Sequence, residues 1–311
     1  MTDNNYMKEV TKILTQDRKK DRLWKNIRFF STIIIIAFLY FNVTASHKKT
    51  PVDMPPHVAI IQMKGAISPR TSFSAKRIIP ELNAAFRDKK AKGVALIINS
   101  GGGLATESIV IYDKIMQLKK KYKKKVVVIS QNGLASGAYL IACAADKIYV
   151  GPATPTGSIG VITASFGFAN AIKKLGISRR IFTAGANKST TDSFMPLTPK
   201  AKANVLQRLK QIHNLFINIV KTGRGKRLNG NPKNIFSGQY WLGQQAVKLG
   251  LVDGVDNTWT VLQKEFGTQR VFNYTRKPSI LDEILKGAST ELQSDISLEP
   301  NQQYMLVNPN L

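Results

Sequence analysis

The 311-residue chain has one cysteine, Cys143, and three histidines, His47, His57 and His213. A single cysteine excludes a disulfide framework and any cysteine-rich zinc site. Three histidines leave little from which to build a histidine metal centre. Negative charge is scarce as well: 19 Asp+Glu face 46 Lys+Arg, a formal net charge of +27. An excess of that size points to an anionic neighbour, nucleic acid or a phospholipid surface, and composition does not choose between them. Apolar material is plentiful. With 43% hydrophobic and 21% charged residues the chain can bury a core, which excludes disorder as its overall state.

The N-terminus favours lipid. Residues 29–45 read FFSTIIIIAFLYFNVTA without a charge, at the short end of the roughly 17–25 residues that cross a hydrocarbon core as a helix. Basic residues crowd the segment before this run, from Lys8 to Arg28, whereas only Lys48 and Lys49 follow closely. By the positive-inside tendency this is a single-pass signal anchor with a cytoplasmic N-terminus and an exported remainder. A cleaved signal peptide competes with it, since Val43-Thr44-Ala45 looks like a cleavage site, but its n-region would be long. A buried soluble helix fits worse, because four consecutive isoleucines leave no polar face. The stretch Pro51-Val52-Asp53-Met54-Pro55-Pro56 reads as a semi-rigid spacer.

Beyond it, β-branched runs alternate with helical spacing. Strands are expected at 57–63, 94–98, 126–129 and 148–150, with Val94 to Ile98 a continuous apolar run typical of a strand buried on both faces. Helices are expected around Ile78–Phe86 with Pro80 near the start, at 107–121, and at 136–145. Strand–helix alternation of this kind argues for parallel β-units with right-handed crossovers. Thr198-Pro199 has the form of an N-cap followed by proline at the first helical position. The helix it opens would present Val205, Leu206, Leu209, Ile212, Leu215, Phe216, Ile219 and Val220 on one face.

Two strand-to-helix turns carry chemistry. Asn99-Ser100-Gly101-Gly102-Gly103 can present free N–H groups to an anion, whether phosphate or a tetrahedral oxyanion, or can simply be a tight turn. The P-loop and G-x-G-x-x-G patterns are absent. Gly133-Leu134-Ala135-Ser136-Gly137-Ala138-Tyr139 places Ser136 at a helix start, either as a nucleophile or as a cap. It is not a G-x-S-x-G elbow. A base for Ser136 is not evident: His47 and His57 fall in the spacer, and His213 on the polar face of a helix. A lysine lowered towards neutrality by burial can serve, but spacing selects none from so many.

The motifs, taken in order, resemble the signal peptide peptidase A family of bacterial membrane serine proteases, in its short form with one protease domain. The likeness runs from about Gly93 to Asn257. It rests on Asn99-Ser100-Gly101-Gly102-Gly103, Ala135-Ser136-Gly137-Ala138-Tyr139 with Ala145-Asp146, and Thr156-Gly157-Ser158-Ile159-Gly160-Val161. Further along it includes Ala184-Gly185-Ala186-Asn187-Lys188-Ser189, Gly243-Gln244-Gln245-Ala246 and Gly250-Leu251-Val252-Asp253. The resemblance implies a serine–lysine dyad, with Ser136 as nucleophile and Lys188 as general base. It makes Ser158 the hydrogen-bond partner of that lysine, and gives the oxyanion to amides of Gly102, Gly103 and Gly137. It further implies an α/β crotonase/Clp-protease-like spiral of β-β-α units and a homo-oligomer with active sites shared between subunits. Departures occur at Gly101, where proline is common, at Ala138 and at Asn187, and none of these removes a catalytic group.

The organisation expected is a basic cytoplasmic segment 1–28, an anchor 29–45, a linker 46–56, a serine peptidase domain 57–271 and a tail 272–311. The expected function is a membrane-anchored serine endopeptidase on the exported (periplasmic) side of the bacterial inner membrane. It would degrade remnant signal peptides and other extended apolar peptides, with no metal or organic cofactor and no nucleic acid partner. The rivals are a non-catalytic basic membrane scaffold or nucleic-acid binder, and an acyl-CoA enzyme of the related fold. The lysine run 119–125 reads as a solvated helix end or as a contact for anionic lipid or an acidic partner, and Cys143 as a core residue.

Overall fold

The computed structural model of the protein describes residues 22–38, 40 and 55–276, together with the backbone of Met305–Val307. Residues 22–38 are helical and exposed. They include the first part of the expected anchor 29–45; residues 39 and 41–45 lie outside the described set, as do 46–54 of the linker and most of the tail. Among the described residues no helix is long and apolar enough to cross a membrane.

From His57 onward the four strands anticipated from apolar runs form one sheet with two that were not, one of them in the segment expected to begin the tail. Strands β1 (His57–Lys64), β2 (Ala91–Asn99), β4 (Val126–Ser130), β6 (Lys147–Val150), β9 (Gly254–Val255) and β10 (Val271–Asn273) lie in the order β10-β1-β2-β4-β6-β9. Every pairing in this sheet is parallel. Strand β4 is buried at all five positions, as a sheet covered on both faces requires. One face carries Ile61, Met63, Leu96, Ile98 and Val128 into the main core. That core is shared with helices α1 (Ala75–Arg87), α2 (Ala105–Tyr122) and α3 (Gly137–Ala142). The other face packs Val58, Ile60, Ala95, Val127 and Ile129 against Val261, Leu262 and Phe266 of helix α8 (Thr258–Phe266). Because successive strand side chains point to opposite faces, both cores are read from the same strands.

Local chemistry sets the element ends. Helix α1 starts at Ala75, so Pro80 sits inside it and not at its start. Helix α2 stops at Lys123, a left-handed residue (φ 51°) whose N–H bonds the Lys119 carbonyl. The proline-preceded cap is present: the Thr198 hydroxyl accepts from the Ala201 N–H at 3.1 Å and opens helix α5 (Pro199–Arg224). The apolar stripe of α5 is only partly used. Phe216 and Val220 are buried, whereas Leu206 and Leu215 are more than half exposed; before α5 the chain forms an exposed arm.

That arm, residues 162–197, contains α4 (Ala169–Lys174), which buries no residue. It closes on itself through the Phe168 N–H to the Ser193 carbonyl and an Arg179–Asp192 ion pair at 3.0 Å. At the other edge the chain continues on the domain past Val271. Thr275 Oγ1 accepts from the Gln62 N–H at 2.7 Å, and Tyr274 donates to Asp88.

His57 is not part of a solvated spacer. It is fully buried at the start of β1, with Nε2 2.9 Å from Asp88 Oδ2. Burial pushes the Asp88 carboxyl up, but the Tyr274 hydroxyl, the Lys90 amide and the charges of His57 and Lys124 outweigh it and hold it below the usual range.

Candidate active site

Short strands build the site at the ends of the parallel strands, on the side where β2 and β4 finish. After β2 the chain turns through Ser100 and Gly101 into β3 (Gly102–Leu104), and after β4 into β5 (Leu134–Ala135). The two turns are joined to each other. The Ser100 N–H bonds the Gly133 carbonyl at 2.8 Å, and the Ala135 N–H bonds the Ser100 carbonyl at 3.2 Å. The side chain of Asn99 accepts from the Gln131 and Asn132 amides at 3.0 and 2.9 Å, tying the loops together from below.

Ser136 stands between β5 and α3 with φ 54° and ψ −124° and is 1% exposed. It does not cap its helix through its side chain, so the capping reading of this serine fails. Strand β5 pairs in parallel with β7 (Thr156–Gly157), with Ala135 opposite Gly157. The next residue on each strand is a serine, Ser136 and Ser158. Neighbouring strands lie about 4.8 Å apart, so this register brings together the two turns that carry the serines. Both have positive φ, 54° and 49°. The third non-glycine residue of this kind among those described is Lys123, the helix end of α2. Sparsely populated backbone conformations cost about 1–3 kcal/mol each and persist only where surrounding structure enforces them. Here the enforcement is visible: the Ser136 N–H bonds the Gly157 carbonyl at 2.8 Å, and the Ser158 N–H bonds the Gln239 carbonyl at 2.9 Å.

The glycines around these serines are demanded by space. A methyl group on Gly103 (φ 155°) would lie 2.2 Å from the Ile67 carbonyl oxygen, and one on Gly137 would lie 2.4 Å from Ser108 Oγ and 3.4 Å from the Ile67 side chain. Gly103 and Gly137 therefore close around one residue, Ile67, and α3 packs on β3. The Gly102 amide is engaged, donating to Ser100 Oγ at 3.0 Å. Along its outer edge β3 pairs antiparallel with β11 (Met305–Val307), Leu306 opposite Gly103.

The structure thus brings together Ser136, Ser158, Gly102, Gly103 and Gly137. It does not bring Lys188 to them. Lys188 is exposed in the arm, its N–H bonded to the Gly185 carbonyl, and no hydrogen bond or ion pair among the described residues joins it to either serine. His213, expected on a polar helix face, is half-buried instead, and its Nε2 lies 3.0 Å from the carbonyl of Ile159, the residue after Ser158. It turned inward because α5 crosses the Ser158 loop, a long-range approach without a local sequence signal. Cys143 is buried, and burial pushes its thiol up to about 12, which leaves it an inert core group. A groove of about 640 Å³ lies elsewhere, on the arm, lined by Phe166, Met195, Leu197, Val205 and Leu206 among others.

Two further residues hold the site's frame. Arg224, at the end of α5, is 2% exposed. Its Nε–H donates to the Gly250 carbonyl at 2.8 Å and its Nη1 to Asp253 Oδ2 at 2.8 Å. Tyr139 of α3 reaches the same turn, donating to the Leu251 carbonyl at 2.7 Å. The turn at 250–253, singled out by its sequence, is thereby fastened to the helix that follows Ser136.

Comparison with known proteins agrees with this fold. The Peptidase family S49 profile matches residues 118–268, and the Clp protease profile residues 51–175. A Brucella melitensis protein named Na(+)/H(+) antiporter NhaA is 43% identical over 209 residues, 66% of this chain but 28% of that protein. The Enterococcus faecium protein named as signal peptide peptidase SppA is 30% identical over 186 residues, 60% of this chain and 54% of that protein. The chain thus spans between about a quarter and a half of these two relatives. The Synechocystis protein slr0021, named as a protease, is 31% identical over 196 residues, 63% of this chain and 68% of that protein. With a Clp-protease-like, mostly parallel α/β fold and a family match that runs through Ser136, Ser158 and Lys188, the chain belongs to peptidase family S49.

Proposed function

We propose that the protein is a membrane-anchored serine endopeptidase in which Ser136 is the nucleophile and Lys188 of a neighbouring copy is the base. The observation that carries this reading is that two buried serines at positive φ, Ser136 and Ser158, directly follow the paired ends of β5 and β7. Strain of this kind aims a hydroxyl out of a strand-to-helix turn, the same device that nucleophilic serines of other folds use. In the proposed step Ser136 Oγ attacks a peptide carbonyl and its proton passes to the neutral Lys188 amine. The oxyanion is held by the amides of Gly103 and Gly137. The lysine then returns the proton to the departing amine, and water releases the acyl group by the same route. Ser158 orients the lysine.

Three features support a second copy as the source of Lys188. The arm that carries it exposes Phe166, Leu175 and Phe182, at 74%, 73% and 94%. It also bears the apolar groove, and an area of that kind on a soluble domain marks an interaction surface. The family resemblance points the same way. Substrate would lie as an extended strand on the outer edge of β3, in place of Met305–Val307, which pairs with it. Extended apolar segments, remnant signal peptides among them, are the class of substrate this edge suits, and the anchor 29–45 would keep the domain at the exported face of the membrane where they arise.

The test is cleavage of apolar signal-like peptides by the full chain in detergent, with the rate followed from pH 6 to 10. Ser136→Ala and Lys188→Ala are each expected to lose on the order of 10⁴-fold in rate, with the wild-type rate rising through a basic pKa. Undiminished cleavage by Lys188→Ala would remove the base assignment. An assembled wild-type oligomer that cleaves nothing would favour a non-catalytic scaffold.

A further inference from the structure

All strands of the main sheet start at one end, since every pairing is parallel. The segments that precede them meet there. The His57 N–H bonds the Lys90 carbonyl, and the Val94 N–H bonds the Lys125 carbonyl at 2.9 Å. The Lys124 ammonium donates to the Asp88 carbonyl, and Lys92 Nζ lies 3.5 Å from the Phe266 carbonyl. The end of α1, the end of α2 with its KKKYKKK run, and the end of α8 therefore form one surface.

That surface is basic, and its acids are already engaged. Asp88 faces His57, Asp146 pairs with Lys119 at 2.7 Å, and Glu265 pairs with Lys125 at 2.6 Å. Arg87, Lys89, Lys92, Lys120, Lys121 and Lys123 are exposed beside them. The left-handed turn at Lys123 ends the helix within the run, so Lys120, Lys121 and Lys123 do not lie on one helix stripe.

We infer that this strand-start end is a docking face for anionic phospholipid headgroups. Lipid is favoured over nucleic acid by the way the chain reaches it. The chain enters the domain at His57, at this end of the sheet, after the linker 46–56 that follows the uncharged run 29–45. Eleven residues span at most about 40 Å, so the face is tethered within that distance of whatever the apolar run enters. A dense set of mobile cations at such range gains from an anionic surface and is screened beyond a Debye length. The inference rests on the anchoring part of the proposed function. It has a consequence for catalysis: the nine-residue strand β2 separates the basic face from the glycine turn, about 30 Å. A substrate segment must leave the bilayer and rise along the domain in extended form to meet Ser136.

The experiment is amine footprinting of the full chain in nanodiscs of phosphatidylcholine alone or with one-third phosphatidylglycerol. An impermeant acetylating reagent is used and the lysines are read by mass spectrometry. Lys89, Lys92, Lys120, Lys121 and Lys123 should react at least about threefold more slowly in the anionic discs, with protection lost in high salt. Lys200 and Lys202, at the far end of the 26-residue α5, should be unchanged. The triple variant K120E/K121E/K123E, with an unaltered circular dichroism spectrum, should lose protection at Lys89 and Lys92. A chain that enters both discs and labels equally in them overturns the docking face and leaves the anchor standing. A chain that joins only anionic discs overturns the anchor and supports the face, and one that joins neither overturns both. If duplex DNA added to neutral discs protects the same lysines as well as phosphatidylglycerol does, the lipid assignment is wrong. Peptide cleavage is measured separately in detergent, so loss of activity and loss of docking are independent readings.

Discussion

Ser136 is held where glycine would be at ease, and that makes its substitutions informative. Ser136→Ala keeps the strained φ of 54° and removes only the hydroxyl, whereas Ser136→Gly also removes the steric conflict. Both should be inactive, and Ser136→Gly should melt at least as high as Ser136→Ala, as read by thermal circular dichroism. A Ser136→Gly variant that melts well below Ser136→Ala would mean that the turn is not strained. Gly103 is the opposite case. Its missing side chain is filled by the Ile67 carbonyl, so Gly103→Ala forces backbone apart and should cost about 1–3 kcal/mol of stability by overpacking. The same variant should lose peptidase activity, since the displaced amide is one of the proposed oxyanion donors. Equal melting of Gly103→Ala and wild type would show that the β3 turn tolerates displacement.

Among elements, the link between α5 and the 250–253 turn depends on a buried ion pair with a definite pH signature. Burial pushes the Asp253 carboxyl up, but the hydrogen bond and charge of Arg224, the Ile148 amide and Arg227 outweigh it and hold its pKa below 3.8. A lowered folded-state pKa means the unfolded chain binds the proton more readily. The stability it adds is therefore full above the ordinary carboxyl pKa and is lost as pH falls through the folded value. Arg224→Met leaves Asp253 buried without its main partner. It should cost about 3–5 kcal/mol near neutrality and move the acid-unfolding midpoint upward, which a far-ultraviolet pH titration measures. An unmoved midpoint would show that Arg227 and Lys147 suffice. The β3–β11 pairing gives a second expectation at this scale: a chain ending at Arg276 frees the β3 edge and should show a several-fold lower KM for an extended peptide, with little change in kcat. An unchanged KM would mean that substrate does not use this edge. The long elements were legible in the sequence because their information is local. Val94–Ile98 and Val126–Ile129 are continuous apolar runs, and Thr198-Pro199 is a cap of two adjacent residues. The site was legible only through ordered motifs. Its decisive contact is the register of two-residue strands, β5 and β7, too short to leave a periodic trace. His57 against Asp88 and His213 against Ile159 are partners 31 and 54 residues apart, and nothing within either segment announces them. The exposed Leu206 and Leu215 misled for the converse reason: helical spacing of apolar residues does not show that the fold covers all of them.

At the scale of the whole molecule, the exposed apolar arm and the separation of Lys188 from Ser136 have one answer under the proposed function. Among the described residues, Ser136 and Ser158 are buried with no base bonded to them, and the arm exposes Phe166, Leu175 and Phe182. If a neighbour's arm covers its own partner's site, the contact is heterologous, each copy giving a serine to one site and a lysine to the next, and repetition closes a ring. Such sharing has a quantitative consequence that an arm folding back on its own subunit does not. Co-expressing Ser136→Ala with Lys188→Ala, each inactive alone, produces mixed rings. A site is intact when its serine comes from the Lys188→Ala copy and its lysine from the Ser136→Ala neighbour. Random mixing at equal amounts satisfies both conditions for about a quarter of the sites, so about a quarter of the wild-type rate per subunit should return. Sites built within one chain would return none. The charge-reversed K120E/K121E/K123E variant serves as the control, because its substitutions lie on the strand-start face and not on the arm. Mixed with wild type it should leave the detergent rate proportional to total chain. Recovery near a quarter, together with that proportionality, places the catalytic lysine in the neighbouring copy. Absence of recovery in rings shown by mass to contain both variants would return the lysine to its own subunit and require the arm to close.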